Sequence, residues 1–121
     1  MTKAYGVETI VGETTASSVP GQVFRELDKV RVKGKLEPIT IFEPMGAVEN
    51  VTSQQQQMLT LLEQGLELYR QQNWDQAKAI FDQLAADSDD KLYQIYLERI
   101  EFFQDLPPAE DWDGVFVYEI K

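Results

Sequence analysis

A strand–turn–strand pattern constrains the fold of this chain more than any other feature. Basic and apolar residues alternate through Lys29-Val30-Arg31-Val32-Lys33, which is the period-2 pattern of a strand with one solvent-facing side. Gly34 permits a tight turn, and Pro38 suits the start of a returning strand, where a missing N–H is tolerated. The sequence therefore predicts a β-hairpin of strands 23–33 and 39–43. The lysines on either side of Gly34 flank its tip, where charged side chains are ordinarily solvated.

The residue types present exclude several kinds of chemistry. The sequence contains no cysteine and no histidine, so disulfides, thiolate catalysis, Cys-ligated metal centres and histidine general bases are excluded. Residues 1–46 carry six basic and six acidic side chains, whereas residues 47–121 carry five basic and fifteen acidic ones. Such an acidic surface is a poor partner for nucleic acid or an anionic membrane surface. No apolar run approaches the roughly 20 residues that span a bilayer.

The residues before the hairpin predict two further short elements. Residues 5–12 favour a strand with Val7, Ile10 and Val11 buried, and residues 13–19 favour one or two helical turns. Three short strands bury little apolar surface without a partner layer. The first 46 residues are therefore expected to be the end of a larger α/β sandwich.

Three amphipathic helices are predicted after a short linker, residues 47–51. Apolar side chains recur at spacings of three and four in each helix, which gives each one a buried face. The predicted helices and their apolar stripes are 53–72 (Met58, Leu62, Gly65, Leu66, Tyr69), 75–86 (Ala77, Ile80, Phe81, Leu84) and 89–104 (Leu92, Ile95, Tyr96, Ile100, Phe103). Pro107-Pro108 stops the third helix.

The C-terminal residues favour a last strand. β-Branched and aromatic residues predict a strand over 115–120, after the turn signal Asp113-Gly114. This strand is too apolar to be left exposed. It is expected either to pair with the N-terminal strands or to pack over the helices.

The N-terminal third of the chain resembles the end of a known catalytic domain. Two runs carry the resemblance, Tyr5-Gly6-Val7…Ile10-Val11-Gly12-Glu13-Thr14-Thr15 and Phe24-Arg25-Glu26-Leu27-Asp28-Lys29-Val30-Arg31-Val32-Lys33-Gly34-Lys35-Leu36-Glu37-Pro38-Ile39. They resemble the C-terminal end of a class III adenylate/guanylate cyclase catalytic domain of bacterial type, over about residues 3–43. The resemblance implies synthesis of cyclic AMP from ATP in intracellular signalling. GTP stays open as the substrate, because the purine-contacting residues of the family precede the matched stretch.

The resemblance also implies a site and an assembly. In the family the catalytic domain is a homodimer with active sites at its interface, and it uses Mg or Mn. The lysine before the glycine of Val-Lys-Gly-Lys is implied to contact ATP phosphate, and that residue is Lys33. No segment matches the family's two metal-binding aspartates or its Asn…Arg helix, so no metal ligand and no catalytic residue is assigned. The chain is expected to be a C-terminal segment of a longer enzyme, without turnover by itself.

The helices resemble a second known architecture. Gly65-x-x-Leu68 followed by Ala77-x-x-x-Phe81 resembles a tetratricopeptide helix pair, in which small residues let two antiparallel helices approach closely. Only one such pair is complete, and the alternative is an ordinary three-helix bundle. The later pattern Pro-Pro-x-x-Asp-Trp-Asp-Gly resembles the C-terminal extension of cyanobacterial-type cyclases with helical-repeat tails. With this extension, the cyclase resemblance covers nearly the whole chain.

A cluster of aspartates invites two interpretations. Asp87, Asp89 and Asp90 are acidic enough to suggest a calcium site. An EF-hand loop counted from Asp87, however, has Leu92 at the position where its turn needs glycine. Helix capping is therefore the preferred interpretation.

Trp112 and the strand arginines also have two interpretations each. Trp112 lies between two aspartates and is either an exposed anchor for a partner or a plug that packs against the helices. The plug is preferred. Arg25 and Arg31 are expected on the strand surface or in cross-strand ion pairs, because charges of opposite sign alternate around them.

Together these patterns predict an α+β fold: short antiparallel strands from the end of a cyclase sheet, a three-helix tetratricopeptide-like unit and a C-terminal strand. The expected divisions are residues 1–46, 47–106 and 107–121. One functional hypothesis is the C-terminal region of a nucleotide cyclase; the alternative is a non-catalytic protein–protein interaction module of tetratricopeptide type. Expected partners are ATP and a second copy in the intact enzyme, and a protein for the helical tail, without nucleic acid or membrane contact. The segment is expected in the cytoplasm, whether or not the parent enzyme is membrane-anchored.

Overall fold

The chain forms two compact units. The computed structural model describes residues 5–32 and 37–118. One unit, the sheet unit, comprises Met1–Ser53 and Val115–Lys121, and the other, the helical unit, comprises Gln54–Gly114. The helical unit is thus inserted in the sequence between two segments of the sheet unit. The predicted α+β class is confirmed.

The sheet unit holds a mixed four-stranded sheet. In chain order its elements are β1 (Val11–Gly12), α1 (Glu13–Ser18), β2 (Gln22–Val32), β3 (Ile39–Ala47), a 3₁₀ turn (Val48–Asn50) and β4 (Phe116–Tyr118). The spatial order of the strands is β1-β3-β2-β4. β1 and β2 each pair antiparallel with β3, and β4 pairs in parallel with the other edge of β2. The C-terminal strand therefore pairs with an N-terminal strand, the first of its two expected arrangements.

Two strand predictions differ from the structure. The strand expected over residues 5–12 is reduced to Val11–Gly12, and Gly6, with a φ of 69°, interrupts the extended backbone before it. β3 continues through Pro44 to Ala47 instead of ending at residue 43. Pro44 lies opposite Phe24, next to a register shift. Such a bulge accommodates a proline that has no N–H to donate.

The helical unit contains three helices close to their predicted bounds. They are α2 (Ser53–Arg70), α3 (Trp74–Asp87) and α4 (Lys91–Asp105). Most members of the predicted stripes are buried, together with Tyr93 and Arg99, whereas Met58, Ile80, Ile95 and Phe103 are half-buried. No helix among the described residues is long and apolar enough to cross a membrane.

Gly65 packs against side chains of α3. A Cβ atom at this position would lie 3.0 Å from Ile80 Cγ2 and 3.2 Å from Phe81 Cε2. Those separations are shorter than an ordinary carbon–carbon contact of 3.5–4.0 Å. Ala77 and Phe81 are fully buried. A side chain at position 65 would therefore have to displace Ile80 or Phe81.

We expect Gly65→Val to lower the free energy of unfolding by about 1–3 kcal/mol, because the added methyl groups overpack the contact with Ile80 and Phe81. Gln64→Val is the matched control, since Gln64 is exposed on the same turn and its substitution changes helix propensity by only a few tenths of a kcal/mol. Urea unfolding followed by far-UV circular dichroism measures both. Equal unfolding midpoints for the two variants would show that the α2–α3 contact is not tightly packed.

Candidate functional site

The predicted phosphate ligand, Lys33, lies outside the described residues, as does the turn to residue 36. The structure does describe the strands on either side. β2 pairs with β3 up to Val30–Ile39. On its other edge it pairs with β4 through Val30–Phe116, Arg31–Val117 and Val32–Tyr118. The strand that leads into Lys33 is therefore an interior strand of the sheet, with a neighbour on both edges.

A buried carboxylate lies in the middle of β2. The pairing of β2 with β3 shifts register between Glu26 and Asp28, which breaks the alternation of faces. As a result the consecutive residues Leu27 and Asp28 are both buried, at 0% and 1% exposure. A strand without a bulge would have turned one of them toward the other face of the sheet.

Hydrogen bonds satisfy both oxygens of Asp28. The hydroxyl of Tyr5, itself fully buried, donates to Asp28 Oδ2 over 2.6 Å. The backbone N–H of Lys29 donates to Asp28 Oδ1 over 2.9 Å. A carboxylate removed from water is tolerated only with such donors. Asp28 therefore ties the N-terminal segment to β2 and has a structural role in this unit.

Sequence reasoning missed the contact between Tyr5 and Asp28. Asp28 stands in a run of alternating charges that is typical of a solvent-facing strand surface. The bulge that buries it has no glycine to mark it. The residues are also 23 positions apart, beyond any local periodicity.

Arg25 forms the cross-strand ion pair expected of the strand arginines. Its Nη2 lies 2.8 Å from Glu43 Oε1, and the side chains are 4% and 23% exposed. The two residues are also register partners in the β2–β3 ladder. Arg25 is thus engaged inside the sheet unit and is not presented to a ligand.

The aspartate cluster caps a helix, as preferred from the sequence. Asp90 Oδ1 accepts a hydrogen bond of 3.0 Å from the N–H of Leu92, in the first turn of α4. Among residues 5–32 and 37–118, no group of three or more acidic side chains is arranged to hold a metal ion. The described residues do not fit the Mg or Mn that the cyclase resemblance implies, so no metal-dependent step is assigned to them.

Trp112 packs against the helices. Its ring centroid lies 5.4 Å from that of Tyr69, 6.0 Å from that of Trp74 and 5.3 Å from that of Phe103. Aromatic pairs at these separations are favourable in edge-on and tilted geometries. The preferred interpretation of Trp112 as a packing plug is confirmed. The residues after α4 consequently lie against the Phe103 side of the helical unit.

A groove opens between the start of α2 and the end of α3. Its volume is about 410 Å³, with Met58, Leu61, Leu84 and Tyr93 among its apolar lining and glutamine side chains, Asp87 and Ser88 among its polar lining. This volume lies within the range of small-molecule pockets. Among the described residues of its lining, Asp87 is the single carboxylate and there is no cation. The groove therefore offers shape and hydrogen bonds, but no acid–base pair.

One surface ion pair raises the pKa of a lysine in the helical unit. Lys78 Nζ lies 2.8 Å from Asp82 Oδ2. The hydrogen bond to Asp82, followed by its charge, raises the pKa of Lys78 above the usual 10.5. A raised lysine pKa stabilises the folded state fully while the pH is below the pKa of that lysine in the unfolded chain. This stabilisation is lost as the pH rises through the pKa of the lysine in the folded chain. It therefore disappears only in strongly alkaline solution.

Comparisons with protein-family models, curated proteins and solved structures find no match to this chain.

We expect Tyr5→Phe to lower the free energy of unfolding by about 1–3 kcal/mol, because it removes a donor from a buried carboxylate. A double-mutant cycle with Asp28→Ala, which removes both acceptor oxygens, separates this contact from other effects of each substitution. The coupling energy is expected to be about 1 kcal/mol or more. Chemical denaturation of wild type, both single variants and the double variant measures it; additive effects would mean that the hydrogen bond contributes nothing.

Proposed function

We propose that this chain is the C-terminal region of a class III nucleotide cyclase that makes cyclic AMP from ATP. The observation that carries the proposal is the long ordered run from Phe24 to Ile39, which resembles the end of that catalytic domain. In the structure the residues of this run up to Val32 belong to β2, and Ile39 begins its antiparallel neighbour β3. A hairpin is the arrangement that a lysine-bearing turn between two strands requires. The adjacent strands therefore support the proposal without testing the activity.

The proposed role of Lys33 is electrostatic. Formation of a cyclic nucleotide is a phosphoryl transfer, and its transition state places negative charge on phosphate oxygens. A lysine ammonium is a compact point charge that stabilises such oxygens. This role requires no histidine or cysteine, which the chain lacks. Metal ligands and the transition-state Asn/Arg pair belong, in this proposal, to the preceding part of the enzyme.

The strand that precedes Lys33 is paired on both of its edges. Val30, three residues before Lys33, is fully buried and paired with a strand on each edge. The hydrogen bonds of Asp28 hold the same strand in place two residues before Val30. A charged group is most effective in catalysis when the backbone that carries it is held in place before the substrate binds. The packing of β2 is consistent with this requirement.

A second candidate function belongs to the helical unit. A non-catalytic protein–protein interaction module of tetratricopeptide type is supported by the contact of Gly65 with the Ile80 and Phe81 side chains of α3. Gln54–Gly114 also forms a compact unit separate from the sheet unit. The two functions are compatible, because an enzyme can carry an interaction module after its catalytic domain.

We expect Lys33→Ala to lower kcat/KM for cyclic AMP formation by about a hundredfold, the usual effect of removing one transition-state charge contact. The assay uses the chain joined to the upstream segment of its natural reading frame, with ATP and Mg or Mn. Lys35→Ala is the matched control, since it removes the same charge on the other side of Gly34, and it should retain activity.

Two outcomes would contradict the proposal at different points. Unchanged kcat/KM in Lys33→Ala would remove Lys33 as a phosphate ligand but leave the cyclase function in place. An upstream segment without two aspartates spaced as metal ligands, and without cyclase activity when joined to this chain, would remove the cyclase function itself.

A further inference from the structure

An apolar stripe lies on one side of α4 and ends at the residue that follows the helix. Ile95 and Phe102 are seven residues apart on α4, which places them on the same side of it, about 10 Å apart along its axis. Leu106, four residues after Phe102, is the residue at which α4 ends, and its backbone is not helical. The stripe is therefore made of Ile95, Phe102 and Leu106, and its last two members lie at the C-terminal end of the helix.

The chain leaves the C-terminal end of this stripe exposed, whereas Ile95 is half-buried. Phe102 is 57% exposed and Leu106 is 65% exposed, the highest values among the exposed large apolar side chains of the described residues. The opposite side of α4 is occupied, because Tyr96 and Ile100 are fully buried. Trp112 contacts Phe103, next to the stripe. The residues after α4 therefore return along the Phe103 side and do not cover Phe102 or Leu106.

Carboxylates border the stripe. Glu98, Glu101 and Asp105 are exposed residues of α4 that lie along one edge of it by helical periodicity. Lys91, one turn before Ile95, is the exposed cation of this helix. Residues 54–114 as a whole carry four basic and thirteen acidic side chains. A partner that covers the stripe must therefore face strong negative charge along its border.

We propose that the stripe Ile95–Phe102–Leu106 docks an amphipathic helix of a partner protein, with an apolar face flanked by lysine or arginine. The apolar face of the partner would cover Phe102 and Leu106, and its cations would lie against Glu98, Glu101 and Asp105. This inference names the partner class for the interaction function given above as the second candidate, and it rests on that function. It does not depend on nucleotide chemistry.

Charge decides between this partner and a second copy of the chain. A second copy would bring a helical unit with the same excess of acidic over basic side chains, and like charges at short range are unfavourable. A basic amphipathic helix removes the same apolar surface from water while neutralising the border. Complementary charge also accelerates association at low ionic strength.

The test uses the full chain and a synthetic peptide of about four helical turns, with leucine on one face and lysine on the other. Isothermal titration at low ionic strength measures binding. We expect binding by the wild type, at least about tenfold weaker binding by the double variant Phe102→Ala/Leu106→Ala, and weaker binding as salt is added. Both side chains are exposed, so the variant should fold, and circular dichroism checks this.

Three controls make the result specific. The double variant Ile39→Ala/Val48→Ala removes apolar side chains of similar exposure, 50% and 49%, from the sheet unit, and should bind like the wild type. A peptide with glutamate in place of lysine should not bind. A peptide of the same composition in scrambled order, without an apolar face, should bind at least about tenfold more weakly.

Each contrary outcome has a distinct meaning. Binding of the basic peptide that survives Phe102→Ala/Leu106→Ala overturns the stripe as the docking site and leaves the interaction function intact. Absence of binding by every peptide counts against both the stripe as a docking site and the interaction function of the helical unit. A dimer in sedimentation equilibrium that is lost in the same double variant overturns the inference in favour of a second copy.

Discussion

The sheet unit depends on the pairing of β2 with a strand on each of its edges. Val30 faces Ile39 of β3 on one side and Phe116 of β4 on the other. β3 follows β2 directly along the chain and runs antiparallel to it, whereas β4 is parallel to β2 and follows only after the three helices. β2 is thus the strand that joins the two sequence segments of the sheet unit.

A bulge in the same strand changes which residues the sheet can bury. Without the shift between Glu26 and Asp28, Leu27 and Asp28 would point to opposite faces. With it, both enter the interior, and Asp28 is satisfied by the hydroxyl of Tyr5 and the N–H of Lys29. The hydrogen bond to Asp28 thereby fixes the position of Tyr5, which is not part of a strand. An internal polar contact of this kind makes one arrangement of the unit more favourable than its alternatives.

The helices could be predicted from the sequence because the pattern that marks a helix lies within a few neighbouring residues. A period of 3.6 marked Leu62, Leu66 and Phe81 as buried, and Pro107-Pro108 marked the end of α4. The strands were less predictable, because register, bulges and pairing partners depend on residues far apart in the sequence. Pro44 inside β3 and Asp28 inside the core both follow from register shifts that no local pattern reveals.

The parts of the candidate site could be predicted from the sequence to different degrees. The hairpin strands follow from alternation, and a cross-strand ion pair follows from the alternating charges around Arg25, but its partner Glu43 becomes evident only from the register. The role of Lys33 follows only from family resemblance and stays a prediction. The packing of Trp112 is confirmed by its ring contacts with the helices. The exposure of Phe102 and Leu106 could not be predicted, since their apolar character favours burial and only the path of the following chain leaves them uncovered.

The parallel pairing of β2 with β4 also has a consequence for the order of folding. Val30 and Phe116 are 86 residues apart, so closing that contact in an unfolded chain carries a large entropic cost. The hairpin and the helices rely on local contacts, which form sooner. We therefore expect the pairing of β2 with β4 to form after the hairpin and the helices.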